Sequence, residues 1–181
     1  MVKHALRSWA LALALLFAAA PVQAANDPAN TLVMELRTGK VVIQLMPNLA
    51  PKHVARVKEL VRAKFYDGIV FHRVIDGFMA QTGDPTGTGT GGSGRGNLPA
   101  EFSRYVFKRG TIGAARTQNP NSADSQFFIC FGSGCQGLTG DYTVWGQVVS
   151  GMEHVDQVRK GEPPANPDKI LRMYIEADRR K

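Results

Sequence analysis

Phe71-His72-Arg73-Val74-Ile75-Asp76-Gly77-Phe78-Met79-Ala80-Gln81 continues a run of strand character that starts at Gly68 and ends at Ile75. Side chains alternate along a strand, so Arg73 is expected to share a face with Ile69, Phe71 and Ile75. An arginine on an apolar face needs a reason. Two stand open: a structural ion pair or a guanidinium snorkelling to a sheet edge, and a guanidinium placed for chemistry. Further along, Ser125-Gln126-Phe127-Phe128-Ile129 puts Gln126 and Phe128 on one face, with Phe127 and Ile129 on the other. A polar donor beside an aromatic ring suits the lining of a groove; the alternative is a core strand with Gln126 at its rim.

Outward from these segments the same period recurs in short pieces. Thr31 to Leu36 and Lys40 to Leu45 read as a hairpin around Thr38-Gly39, and β-rich runs return at Thr111 to Ala115, Ser125 to Phe131, Tyr142 to Val149 and Ile170 to Ala177. Two helices interrupt them. One opens at Pro51, with Val54, Val57, Leu60 and Val61 at helical spacing, and ends near Lys64; a short second one carries Met152, Val155 and Val158. Many short strands with two isolated helices argue against alternating βαβ units. They predict a mainly β fold, an antiparallel sheet closed as a barrel with helices over its open ends.

The N-terminus is a different kind of sequence. Lys3 and Arg7 precede twelve apolar residues, Trp9 to Ala20, and Val22-Gln23-Ala24 follows. A basic start, a short apolar core and a small-residue exit describe a secretory signal peptide over residues 1–24. As a helix that core would rise only about 18 Å, too short for a bilayer of about 30 Å, so stable membrane insertion is not expected. The mature chain, residues 25–181, is then one exported domain. Removing the segment takes two basic residues and no acid from a chain of formal charge +7. The remaining lysines and arginines are interleaved with acids and carry no aromatic stripe, so nucleic-acid binding is not expected. The hydrophobic content of 44% excludes a disordered chain.

Bond-breaking chemistry finds no support. There is no G-x-S-x-G elbow and no G-x-x-x-x-G-K loop, and His53, His72 and His154 lack metal-ligand spacing. Gly83 to Gly96 has glycine at seven of fourteen positions, including G-x-G-x-x-G at Gly87, Gly89 and Gly92. Arg95-Gly96-Asn97-Leu98-Pro99 follows, which opens no helix, so this is an extended or mobile loop and not a dinucleotide site. Cys130 and Cys135 lie five apart and suit either a small disulfide loop or two unpaired thiols.

FHRVIDGFMAQTGD (Phe71 to Asp84) and ARTQNPNSADSQFFI (Ala115 to Ile129) resemble the two signatures of the cyclophilin-type peptidyl-prolyl cis–trans isomerases, the second in its bacterial exported form. The likeness runs from about Thr31 to Ile175. It implies an eight-stranded antiparallel barrel capped by two helices, and a surface groove. Arg73, Gln81 and Gln126 match the family's catalytic positions, and Phe78, Met79 and Phe128 its proline pocket. His72, Thr117, Leu138 and Tyr142 match positions along the groove. No metal or cofactor is implied, and the partners would be proline-containing unfolded or flexible polypeptides. Gly137 stands about where many eukaryotic members carry tryptophan, and Tyr142 where they carry histidine, so tight cyclosporin binding is not expected. A monomer in the periplasm, acting on exported proteins, is the reading that follows. Its rival is a chaperone or scaffold of the same fold that holds proline segments with little turnover.

Overall fold

The computed structural model describes residues 27–180; the expected signal peptide lies outside them. Eight strands form one antiparallel sheet: β1 (Thr31–Leu36), β2 (Gly39–Leu45), β3 (Arg73–Ile75), β4 (Met79–Thr82), β5 (Thr111–Ala114), β6 (Phe127–Cys130), β7 (Val144–Ser150) and β8 (Arg172–Ile175). Their order across the sheet is β3-β4-β6-β5-β7-β2-β1-β8. The sheet curls until β3 and β8 approach, but no regular ladder joins them. The seam is made just upstream of both strands, where Gly68 N–H donates to Ile170 O (2.8 Å), Phe71 N–H to Asp168 O (2.9 Å) and Ile170 N–H to Ile69 O (2.9 Å). The expected barrel is therefore present, with its last seam irregular.

The inward faces build one core. Val74, Ala80, Ile129, Ile112 and Trp145 come from five neighbouring strands and meet inside. Edge-to-face contacts link Tyr66, Phe127 and Trp145, with ring centroids 5.6 and 5.3 Å apart. Helix α1 (Pro51–Arg62) lays Val54, Val57, Leu60 and Val61 on this core, and helix α2 (Met152–Asp156) adds Val155. The β1–β2 turn needs glycine at position 39. Its φ is +152°, and a Cβ there would overlap the His154 ring.

Two expectations about the strands change. The run from Gly68 to Ile75 is strand only from Arg73; Ile69 and Phe71 precede it and turn into the core. Arg73 shares its face with Ile75 alone, because irregular backbone at residues 71 and 72 breaks the alternation. Strand β4 was not among the expected runs. Met-Ala-Gln-Thr carries little β propensity, and it is held by pairing on both sides, to β3 and to β6.

Helix α1 starts without a side-chain cap of its own, since Ala50 precedes Pro51. A distant carboxylate replaces it: Glu101 accepts from Lys52 N–H and His53 N–H (3.0 Å each) and contacts His53 Nδ1 at 2.7 Å. Burial pushes the Glu101 carboxyl upward, but bonds from the His53 ring and the two amides outweigh it and leave it below the usual range. Burial lowers His53 as well, against the pull of Glu101. Both groups therefore take up a proton more readily unfolded than folded, so their contribution is complete above the ordinary histidine range and falls as the pH drops. Glu101→Ala should cost about 1–2 kcal/mol at neutral pH by removing this cap. Denaturant unfolding of both proteins at pH 7 should show this loss; an unchanged stability would count against Glu101 as the cap.

Candidate active site

The groove begins as a row of paired residues. Arg73 on β3 pairs with Gln81 on β4, Gln81 with Phe128 on β6, and Phe128 with Gly113 on β5. Directly paired residues of an antiparallel ladder point to the same side, so all four lie on the outer face. Ile75, Met79 and Cys130 form the next row. A second apolar cluster results outside the barrel, containing Met79, Phe107, Phe128, Cys130 and Val144, with Phe78, Leu138 and Tyr142 packed against it.

Over these rows lies a cavity of about 240 Å³ lined by Arg73, Phe78, Met79, Gln81, Ala115, Arg116, Phe128, Leu138 and Tyr142. Phe128 is its buried floor. Phe107 stacks behind that ring at 5.7 Å and Tyr142 meets it edge-on at 5.7 Å. Beneath it position 113 must be glycine, because a Cβ there would land on the Phe128 and Phe107 rings. One wall is covalently held. Cys130 and Cys135 form a disulfide, settling the question the spacing left open, and it ties the Ser133–Leu138 turn that carries Leu138 to β6. Gly137 is exposed on that turn, with nothing within 4 Å of a Cβ placed there.

Arg73 stands at the rim with its side chain 41% exposed and its Nε donating to Glu162 Oε2 at 2.7 Å. The arginine is thus ion-paired, as the first sequence reading has it, and it also lines the cavity. Gln81 Nε2 donates to Gln126 Oε1 at 2.9 Å, and Gln126 Nε2 donates to Gly89 O (3.0 Å) and Gly91 O (2.9 Å). Both amide hydrogens of Gln126 are thereby committed to the glycine-rich loop. Gln126 thus steadies both Gln81 and the loop while itself lining the cavity that runs along that loop.

A larger cavity, about 700 Å³, adjoins the first across Gln81, Ala115 and Arg116 and runs past Gln126 along the glycine-rich loop. Thr117 belongs to this second cavity, where its hydroxyl meets Ser122 Oγ at 2.8 Å. His72 lies on neither. It is buried beneath the loop, 3.6 Å from where a Cβ of Gly89 would sit, and supports the loop from below. Burial lowers its basicity, with Asp84 opposing and Arg73 reinforcing, which keeps the ring neutral near pH 7.

Four residues outside the expected set shape the site. Asp84 is buried and accepts from Thr86 N–H (2.7 Å), Thr86 Oγ1 (2.8 Å), Gly89 N–H (2.6 Å) and Gly91 N–H (3.1 Å). Burial raises its pKa, but these bonds prevail and bring it to about 2. The loop expected to be extended or mobile is thus wound about a carboxylate. Asp124 holds its far end through Ser93 and Arg56. Arg116 lies over the Tyr142 ring at 4.3 Å and donates to Thr117 O and Asp141 O, joining the two loops. Phe107 backs Phe128. An aspartate followed by Thr and Gly at alternate positions was a readable loop signal; Phe107 had none, since its segment has no regular structure.

The sequence model of the family described as "Cyclophilin type peptidyl-prolyl cis-trans isomerase/CLD" matches residues 31–175. A probable peptidyl-prolyl cis-trans isomerase of Brucella suis is 52% identical over 182 residues, covering 92% of each chain. Peptidyl-prolyl cis-trans isomerase-like 3 of Mus musculus is 38% identical, covering 72% of this chain and 82% of the relative. Among solved structures, a cyclophilin from Hirschia baltica superposes with a TM-score of 0.74 at 29% identity, covering 84% of this chain and 76% of that one. A cyclophilin type isomerase of Cryptosporidium parvum, crystallised in the presence of the dipeptide Ala-Pro, gives 0.74 at 28% identity, covering 80% of this chain and 98% of that one.

Replacing Gly113 by alanine should push Phe128 into the cavity, an overpacking that costs about 1–3 kcal/mol of stability. Affinity for a proline peptide should fall several-fold while the protein remains folded, as judged by titration beside circular dichroism. Phe128→Ala should weaken the same binding by removing the floor. Unchanged affinity in both variants would show that the ring does not form the pocket.

Proposed function

The chain belongs to the cyclophilin-type peptidyl-prolyl cis–trans isomerase family and is an isomerase of X–Pro bonds; from that premise we propose that Arg73 is its catalytic group and that it acts, after export to the periplasm, on the folding of other exported proteins. Rotation about X–Pro faces a barrier of about 18–20 kcal/mol from amide resonance and takes tens to hundreds of seconds unaided. Shortening this to milliseconds needs about 10⁴–10⁵-fold, or roughly 6 kcal/mol of transition-state stabilisation. No bond breaks, so the groove needs a way to favour the twisted amide over the planar one.

The observation that carries the assignment is a guanidinium at the rim of a cavity that Phe78, Met79, Phe128, Leu138 and Tyr142 line with apolar and aromatic side chains. In the twisted state the proline nitrogen leaves conjugation and regains a lone pair. A donor fixed beside it bonds more strongly to that state than to the ground state, which is differential binding. Phe78, Met79, Phe128, Leu138 and Tyr142 would hold the ring, and Gln81 would meet the flanking peptide. The Ala-Pro dipeptide named with the Cryptosporidium relative supports a proline ligand for the same fold.

Export rests on separate support. A basic, apolar and small-residue N-terminus has the form of a secretory signal, and a Cys130–Cys135 disulfide suits an oxidising compartment. Among the described residues, no helix is long and apolar enough to cross a membrane. Chain segments emerging unfolded into that compartment supply X–Pro bonds as clients, and nothing in the groove selects one client protein. The fold leaves no surface that demands a partner, so we take the working unit to be the monomer.

Arg73→Ala should abolish most isomerase activity in a proline-limited peptide assay, by about 10²-fold or more, with thermal unfolding little changed. Near-wild-type rates in that variant would overturn the assignment. Running the assay beside one for suppressed aggregation separates the enzyme from a passive holder of proline segments: the holder would keep the second activity without the first.

A further inference from the structure

We infer that Glu162 is a positioning residue for Arg73, fixing the guanidinium so that its two terminal nitrogens face the proline cavity. The inference rests on the catalytic role given to Arg73 above. Among the described residues, the Arg73 side chain makes one hydrogen bond, Nε to Glu162 Oε2 at 2.7 Å. Nothing else steers a long, flexible side chain that stands 41% exposed at the rim.

Glu162 does not reach this point by chance of rotamer. Its neighbour Gly161 forms a bridge with Val74, in which Val74 N–H donates to Gly161 O (2.8 Å) and Gly161 N–H to Val74 O (2.9 Å). That bridge adds one rung beyond the sheet edge at β3, immediately beside Arg73. Position 161 has φ +144° and a Cβ there would press on Pro164 backbone, so glycine is needed to make the rung. The residue after it is thereby delivered next to the guanidinium.

The chemistry favours steering over charge. A guanidinium carries its charge with or without a carboxylate beside it, so what Glu162 offers is direction. Bonding Nε leaves the fork of terminal N–H groups free in a defined plane. An ion pair this exposed contributes little to folding, since Glu162 itself is 51% exposed. Its effect falls on the orientation of the donor, and orientation counts most in the twisted state, where the bond to the proline nitrogen forms.

The test is a set of variants in the full domain. Glu162→Ala should lower kcat/KM about 3- to 10-fold, while the affinity for an Ala-Pro peptide, measured by titration, stays within about twofold. The Arg73 Nε–H resonance, visible by ¹H–¹⁵N NMR in the wild type, should broaden or exchange faster. Glu162→Gln keeps a neutral acceptor of the same length and should retain most of the activity; it also carries the test if the alanine variant folds poorly. In an Arg73→Lys background, which has no Nε, Glu162→Ala should change nothing further. An unchanged or faster rate in Glu162→Ala, a loss confined to peptide affinity, or an equal loss in the lysine background would overturn the proposal. Full activity in Arg73→Ala would instead overturn the catalytic assignment on which it rests.

Discussion

Pairing between strands carries side chains across a sheet in rows, and one such row governs this molecule. Arg73, Gln81, Phe128 and Gly113 lie in register on four strands, β3, β4, β6 and β5. A slip of one residue in any of these pairings would send a groove residue into the core and a core residue into the groove. The neighbouring row shows what prevents the slip. Val74, Ala80, Ile129 and Ile112 are each almost wholly buried, and exposing them in exchange for a guanidinium, an amide and a ring would cost far more than the groove could return. The hydrophobic core thereby sets the register, and the register sets the site.

Loops complete what the row begins, and they do so through buried carboxylates. Asp84 gathers the amides of the glycine-rich loop, and the same loop presents Gly89 and Gly91 carbonyls to Gln126. Gln126 in turn receives Gln81. A chain of bonds therefore runs from a buried aspartate through loop backbone and Gln126 to Gln81 on the cavity wall. Each member uses its capacity on the next, which is how an exposed and glycine-rich segment acquires a definite shape without regular secondary structure.

The period-two pattern was readable wherever a strand was long enough to show it. Alternation at Gln126 to Ile129 placed Phe127 and Ile129 inside and Phe128 outside, as the structure has them. It failed at Ile69 and Phe71, because irregular backbone before Arg73 resets the phase. It was silent at β4, whose four residues are held by their neighbours on either side. The groove residues came from the likeness of two segments to a known family. What those segments did not convey was how residues are used. His72 is buried under the glycine-rich loop, and Gln126 commits both amide hydrogens to that loop, so each also holds the loop in place. Phe107, Arg116 and Glu162 come from separate stretches of chain, and local sequence patterns do not say where such side chains meet.

An enzyme that breaks no bond needs little reactive chemistry and a great deal of fixed geometry. Strand β6 shows how one short segment supplies it. Phe127 points inward to Tyr66 and Trp145, while the next residue, Phe128, points outward and forms the floor of the proline cavity. The interior contacts hold the backbone from which the outer ring projects, and Cys130, two residues further, anchors the turn that walls the same cavity. Rigidity in the core is thus passed to the groove over a few ångströms, through a single strand. The guanidinium is the exception, being long, half exposed and held at one atom. In the catalytic role proposed for it, this group must favour the twisted amide over the planar one, so a rigid pocket with one donor steered at its rim is what the reaction requires.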